Sequence, residues 1–471
     1  LANTDMCDNV DGLALLLSLV RELEDLNLSS NYFGLQKIET PLSKLTQLKT
    51  LNLSMNFLGR DGMKALADAF KAFPLLERFD MSSSHIGEDE VSVLCKSLVS
   101  LKKLKYLNLS GNSIYIGFLD DAVVLPATLE EFLFSDVMHG KKLFDEMKQL
   151  QNLRKLHLDK VKLSQYDAEA LPILFRCFSK LEELSLADLI APECETILIS
   201  IKSLKNIKKI DLTGIKLSNV GALVEMLTSL KSLEELVLTD MSDTRVLNGT
   251  SDQNVDYEKL FSVIKVLKCL RKLSFGGVKV FDSENAFFDM LSSLSILEDI
   301  VFPDVSLKNS ASTTGGLKAL ESLRYLKSLD LCSAEICAES TTGDLTCVLP
   351  SLQLLEKLRL KFNLKDLYGE SERKLFSAFE KLNNLKELLI TGFGLNSISA
   401  LAEVLPSLPL LEKVDLDIFG RDCRHQLLFD ALEKLRYLKE FSYGWIENAD
   451  IEPFVHALSS LPLLEKLSFS T

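Results

Sequence analysis

Leucine spacing limits what this chain can fold into. Residues 45–84 read LTQLKTLNLSMNFLGRDGMKALADAFKAFPLLERFDMSSS, with Leu48, Leu51 and Leu53 at L-x-x-L-x-L, Asn56 three residues on and Leu58 two after that. Alternate residues of a strand share a face, so this phrase predicts a short strand with inward leucines leading into a turn. The spacing then changes. From Asp61, read as an N-cap, Met63, Leu66, Ala67 and Phe70 fall at i, i+3, i+4 and i+7, the stripe of a helix packed on one face. Pro74 closes the helix, and Leu76, Phe79 and Met81 restate the strand with Ser84 in the place of Asn56. One strand and one helix cannot bury themselves, so the unit must stack on copies of itself.

The copies are present. L-x-x-L-x-L phrases open at Leu23, Leu48, Leu76, Leu104, Leu129, Leu153, Leu181, Ile207, Leu233, Leu270, Leu297, Leu326, Leu355, Leu385, Leu411, Leu438 and Leu464, most of them 24 to 30 residues apart. This sequence resembles the leucine-rich repeat superfamily over nearly its whole length. The long period with a helical pattern in most repeats is similar to the ribonuclease-inhibitor-type subfamily. The resemblance implies an α/β solenoid of about 17 repeats, a horseshoe with a parallel sheet on its concave face and helices on its convex face. Residues 1–471 would then form a single elongated domain. Leu1 is not a methionine and Thr471 falls inside a strand pattern, so the chain reads as a piece of a longer protein.

Two departures stand out. The Asn position is Asn31, Asn56, Ser84 and Asn112 in the first four repeats and then apolar, as in Val161, Leu189, Ile215 and Val278. An inward Asn satisfies backbone groups in the turn, so later repeats must pair those groups otherwise or leave them to water, with wider turns. The gap between Leu233 and Leu270 is also long, and residues 242–256 read as an inserted loop. Polar stretches from Lys308 and Ala338 leave the same end of their strands, which would place all three along one edge.

Composition excludes several classes. With 25% charged and 47% apolar residues the chain is a folded protein, and a formal net charge of −14 disfavours nucleic acid as a partner. Nine cysteines, without paired C-x-x-C or zinc spacing, read as reduced thiols; Cys95, Cys177 and Cys269 fall at or beside apolar positions. That predicts a reducing, cytoplasmic setting. The longest apolar run, Leu13–Val20, is far short of the roughly 20 residues that span a bilayer, so no membrane insertion is expected.

No catalytic, cofactor or metal motif is present, and the five histidines, His85, His139, His157, His425 and His456, lie in different repeats. The sequons at Asn27, Asn52 and Asn108 are by-products of L-N-L-S in the strands, and only the one at Asn248 lies in a loop. The informative positions lie between the inward leucines and point out over the sheet. Two residues after each opening leucine the charges alternate from Glu131 through Lys155, Glu183, Lys209, Glu235, Lys272 and Asp299, pause at Ser328, and resume from Lys357 to Lys466. Opposite charges one strand apart form a ladder that favours native stacking. In the next column the apolar members, among them Leu133, Val237, Val301 and Leu389, should be exposed. Asp136, Asp188, Asp240 and Asp304 recur at strand exits, where Asp caps turns.

A protein-binding region is expected where Lys357, Arg359 and Lys361 share one strand, Leu389 lies on the next, Asp415 and Asp417 follow two strands on, and Trp445 stands at a strand end. Aromatic residues and Arg are the usual composition of a binding hot spot. Tyr443, by contrast, should point into the core. The expected function is a non-catalytic recognition module that takes a protein ligand on its concave face and loop edge. The phrase L-P-x-L-x-x-L-x-L also resembles the sensing region of cytosolic nucleotide-binding, leucine-rich-repeat (NLR-like) innate immune receptors. Ran GTPase-activating proteins use the same repeat type, which makes a small-GTPase regulator the alternative; an LRR scaffold or a bacterial effector would read alike.

Overall fold

The computed structural model describes residues 2–3, 10–31, 39–112, 114, 124–136, 141–217, 219–243, 256–278, 283–304, 316–334, 339–362, 370–393, 395–418, 425–444 and 451–469. The chain forms two compact units. The first comprises Leu1–Leu233 with Ser242–Gly249, and the second comprises Glu234–Met241 with Thr250–Thr471.

The first unit carries the strands β1 (Asp25–Asn27), β2 (Thr50–Asn52), β3 (Arg78–Asp80), β4 (Tyr106–Asn108), β5 (Glu131–Leu133), β6 (Lys155–His157), β7 (Glu183–Ser185) and β8 (Lys209–Asp211). All eight are parallel and each pairs with the next in strict register. Leu26, Leu51, Phe79, Leu107, Phe132, Leu156, Leu184 and Ile210 therefore form one inward file, every member buried. A helix returns the chain in most repeats, and successive helices such as Gly59–Ala69 and Glu88–Leu98 pack on each other. The insertion begins with β11 (Ser242–Asp243), which pairs in parallel with β9 (Lys216–Leu217). Residues 244–255 of the expected loop lie outside the described residues, as do 308–315 and Ala338 of the later polar stretches; from Glu339 the second stretch is not a loop but opens the helix Glu339–Val348.

The second unit repeats the plan with β10 (Glu235–Val237), β12 (Lys272–Ser274), β13 (Asp299–Val301), β14 (Ser328–Asp330), β15 (Lys357–Lys361), β16 (Glu387–Phe393), β17 (Lys413–Ile418), β18 (Glu440–Tyr443) and β19 (Lys466–Phe469), again parallel and in register apart from a shift between Thr391 and Phe393 where β16 meets β17. The strands lengthen from β15 onward, so more residues reach the outward face there. Phe261, Phe275, Phe287 and Phe302 make edge-on ring contacts that fill the core beneath. Tyr443 is buried, as expected, with its hydroxyl hydrogen-bonded to His425 Nδ1.

The helix after β2 begins earlier than its sequence suggests. It runs Gly59–Ala69, with Leu58 in the capping position and no side-chain cap; Asp61 sits in the first turn, where its charge faces the positive helix end. Its apolar stripe is as expected, with Met63, Leu66 and Phe70 buried, and a short 3-10 turn, Phe70–Ala72, stops it before Pro74. The apolar run near the start folds as the helix Val10–Leu19, which buries Leu13 and Leu17. Among the described residues no helix is long and apolar enough to cross a membrane.

The turns explain the Asn departure. Asn56 Nδ2 donates to the carbonyls of Leu28, Leu53 and Ser54 at 2.8, 3.0 and 3.3 Å, while its Oδ1 accepts from Asn31 N at 3.0 Å. Asn112 repeats the pattern, and Ser84 Oγ reaches the Leu53 and Ser82 carbonyls. In later repeats the apolar replacement closes the turn through its own backbone: Leu189 N to Leu186 O, Ile215 N to Leu212 O, Val278 N to Phe275 O and Ala334 N to Leu331 O, at 3.0 to 3.2 Å. Those amides are therefore paired within the chain and not left to water.

One residue before that position the backbone takes the left-handed conformation, at Ser30, Met55, Ser83, Gly111, Asp136, Lys160, Asp188, Gly214, Asp240 and Gly277. Asp136, Asp188 and Asp240 occupy this turn corner, which Asp tolerates better than most residues. Asp304 does not take it, and its amide donates instead to the Val278 carbonyl at 2.7 Å. Of the cysteines placed at apolar positions, Cys95 is buried and its thiol is pushed up to about 12 by desolvation, but Cys269 is exposed. The six described cysteines are all free.

Candidate functional site: the outward face of the sheet

Two charge ladders run up the sheet. The expected one closes with Lys155–Glu183 at 2.7 Å, Lys357–Glu387 at 2.6 Å and Lys413–Glu440 at 2.8 Å, with Lys466 reaching Glu440 at 2.5 Å. The hydrogen bonds from Lys413 and Lys466 hold the Glu440 carboxyl down to about 2. Arg78 extends this ladder by laying its guanidinium over the Tyr106 ring, 3.9 Å from the centroid, and reaching Glu131 at 3.2 Å.

The second ladder was missed in the sequence although its signal is complete there. The residue after each opening leucine alternates in sign in all seventeen repeats, from Glu24, Lys49, Glu77 and Lys105 to Glu412, Lys439 and Glu465. Its pairs include Lys49–Glu24 at 2.7 Å, Arg154–Glu182 at 2.6 Å, Lys208–Glu182 at 2.8 Å, Lys386–Glu356 at 2.8 Å and Lys439–Glu412 at 2.7 Å. The lysine hydrogen bonds lower the carboxyls of Glu182, Glu298 and Glu412. From Glu131 to Asp299 both ladders carry the same sign on a strand; past Ser328, as at Glu77 and Arg78, they carry opposite signs. Most charges of each ladder are met by a neighbouring strand, so the ladders offer little free charge to a ligand. A cavity of about 390 Å³ between them is lined entirely by ladder residues, among them Glu131, Arg154, Glu182 and Lys209, and lacks the apolar walls of a small-molecule site.

His157 stands in this setting. Its Nε2 meets Glu183 Oε1 at 2.9 Å and its Nδ1 lies 3.9 Å from Asp159, while the Ser185 hydroxyl donates to Asp159 and not to the imidazole. That geometry lacks a nucleophile in contact with a base. His157 and Lys155 together hold the Glu183 carboxyl down to about 2. No group of three or more His, Cys, Asp or Glu placed to hold a metal occurs among the described residues.

The columns farther along the strands behave differently in the second unit. Arg359, Leu389 and Asp415 stand in register on β15, β16 and β17, and Lys361, Thr391 and Asp417 form the next row. Arg359 and Lys361 are exposed, and Leu389, Thr391, Asp415 and Asp417 are half-buried. Leu133, Val237 and Val301, expected to be exposed, are likewise only half-buried between neighbouring strands. Arg359 makes one long contact, 3.5 Å to Asp330, whose other oxygen caps Cys332 N. Lys361, Asp415 and Asp417 have no ion-pair partner among the described residues. Lys357, of the same strand, is taken up by Glu387 and belongs to the ladder. The structure thus brings together Arg359, Lys361, Leu389, Asp415 and Asp417; Trp445 lies outside the described residues.

The seventeen parallel strands named above, with a file of inward apolar residues and most followed by a helix among the described residues, have the leucine-rich-repeat fold. No family model matches it. Among solved structures it is similar to an internalin (inlF) from Listeria monocytogenes, with 14% identity over 93% of this chain and 94% of that one and a TM-score of 0.38. It is also similar to TLR13 in a TLR13–ssRNA13 complex, with 16% identity over 96% of this chain and 82% of that one and a TM-score of 0.44.

Proposed function

We propose that the chain is a non-catalytic recognition module whose outward sheet face, centred on β15 to β17, takes a protein partner. The observation that carries this reading is the contrast between closed and open charges. Along both ladders most charges are met by neighbours, whereas Lys361, Asp415 and Asp417 have no ion-pair partner among the described residues. Half-buried Leu389 between them supplies apolar surface to bury. Protein is favoured over nucleic acid because the net charge is −14 and two of the open charges are acidic.

Within this reading the chain serves as the sensing repeats of an NLR-like cytosolic receptor. Support comes from the free thiols, which suit a reducing compartment. The test is site-specific photo-crosslinking, with a photoreactive residue at Leu389 or at Val455 on the helix Ile451–Ser459. A partner that crosslinks from Leu389 and then binds as a purified protein supports the reading. Crosslinks from Val455 alone, or to RNA alone, overturn it.

A further inference from the structure

The charges of this face, Arg359 among them although Asp330 meets it at 3.5 Å, are arranged in two rows, and the rows fit one kind of secondary structure. Arg359 and Lys361 lie two residues apart on β15, Asp415 and Asp417 two residues apart on β17, and β16 separates them with Leu389 and Thr391. Along a strand two residues span about 6.6 Å, and two strand spacings put the rows roughly 9.6 Å apart. The arrangement is a cationic rail, a floor of Leu389 and Thr391, and an anionic rail.

Resting on the recognition reading, we propose that this face takes an amphipathic α-helix laid along β16, with acidic residues at i and i+4 on one flank, basic residues at i and i+4 on the other, and an apolar line between. Residues at i and i+4 of a helix stand about 6 Å apart, matching the spacing within each rail. A helix is about 10–12 Å across with its side chains, matching the distance between rails. An extended peptide does not fit, because its side chains alternate up and down and only one row would face the sheet. A wholly acidic or wholly basic helix would satisfy one rail and be repelled by the other.

Rotating the helix half a turn about the sheet normal exchanges its flanks, so a peptide with Glu and Lys simply swapped would bind in the reverse direction and is not a control. The test compares three labelled helical peptides by fluorescence anisotropy against the whole protein. One has its flanks segregated into Glu and Lys, one has equal composition with one Glu and one Lys on each flank, and one has Lys on both flanks. The segregated peptide should bind about tenfold tighter than the mixed one at low salt, and the margin should shrink at high salt as screening grows. The double variant Arg359→Glu, Lys361→Glu makes both rails acidic and should reverse the ranking in favour of the all-Lys peptide; these exposed positions leave the core untouched. Equal binding of the three peptides, or an unchanged ranking in the variant, overturns the proposal. If the peptides fail while a natural partner still crosslinks from position 389, the helix inference falls and the recognition reading stands; if crosslinks also come only from Val455, both fall.

Discussion

The Asp240 carboxylate occupies the space that a β-carbon on Gly277 would need. Both residues are left-handed turn corners, at φ 53° and 73°, in successive repeats, and Asp188 stands over Gly214 in the same way. The left-handed corner of one repeat thus restricts the residue at the corner of the next. Gly59 is also left-handed, at φ 61°, but has nothing within 4 Å of its β-position. Gly59→Ala should therefore cost only backbone strain, about 1 kcal/mol. Gly277→Ala should cost more, and Asp240→Gly in the same chain should recover part of the difference. Thermal denaturation of the three variants beside the parent decides it.

The ladders predict a sign-dependent effect at Glu182, which Arg154 and Lys208 meet from either side. Glu182→Gln removes two exposed pairs and should cost about 1 kcal/mol. Glu182→Lys sets three cations in a row and should cost more, with the excess fading as salt is raised. Equal melting temperatures for the two variants would discount the ladder.

Asn56 satisfies three carbonyls from a buried position. Each carbonyl keeps one other donor, Asn31 Nδ2, Ser84 Oγ or Ser30 N, so Asn56→Ala should cost the three lost hydrogen bonds at about 1 kcal/mol each, read from denaturant midpoints. Asn56→Ser should recover part of that loss, because Ser84 already performs the same task in the following repeat.

Acid sensitivity follows from Glu183. Its carboxyl sits at about 2 in the folded chain against a reference of 4.5, through hydrogen bonds with His157 first and then Lys155. A depressed value means the folded state favours the charged form. The stability it contributes is present above pH 4.5 and is lost as pH falls from 4.5 toward about 2. Glu183→Gln should be less stable than the parent at pH 7 and should show a flatter melting temperature across that acid window. Parallel profiles for the two proteins would contradict the assignment.

The repeat was legible because inward apolar residues must recur wherever strands stack, and the file stays buried in both units until Leu467 on β19. The helix start at Gly59 was not, because a favourable capping residue at Asp61 does not compel the backbone to begin there. The left-handed corners were hidden because Ser, Met, Lys, Asp and Gly share no side-chain chemistry; the turn imposes the conformation on them. The first charge column was read from alternation, and its neighbour would have yielded to the same rule one position earlier. Lys357 and Lys361 show what sequence withholds, since they are the same residue type on the same strand. The lateral reach of Glu387 closes Lys357, while Lys361 has no ion-pair partner among the described residues.

The central claim is that partners dock on the outward sheet face of β15 to β17 and not on the helices. The most direct measurement is the dissociation constant of a purified partner for the parent chain, for Lys361→Glu with Asp417→Ala, and for Leu427→Ala with Val455→Ala on exposed helix positions. A loss of about tenfold or more in the first variant with no change in the second is the predicted result. Unchanged affinity in the first and a large loss in the second would contradict it.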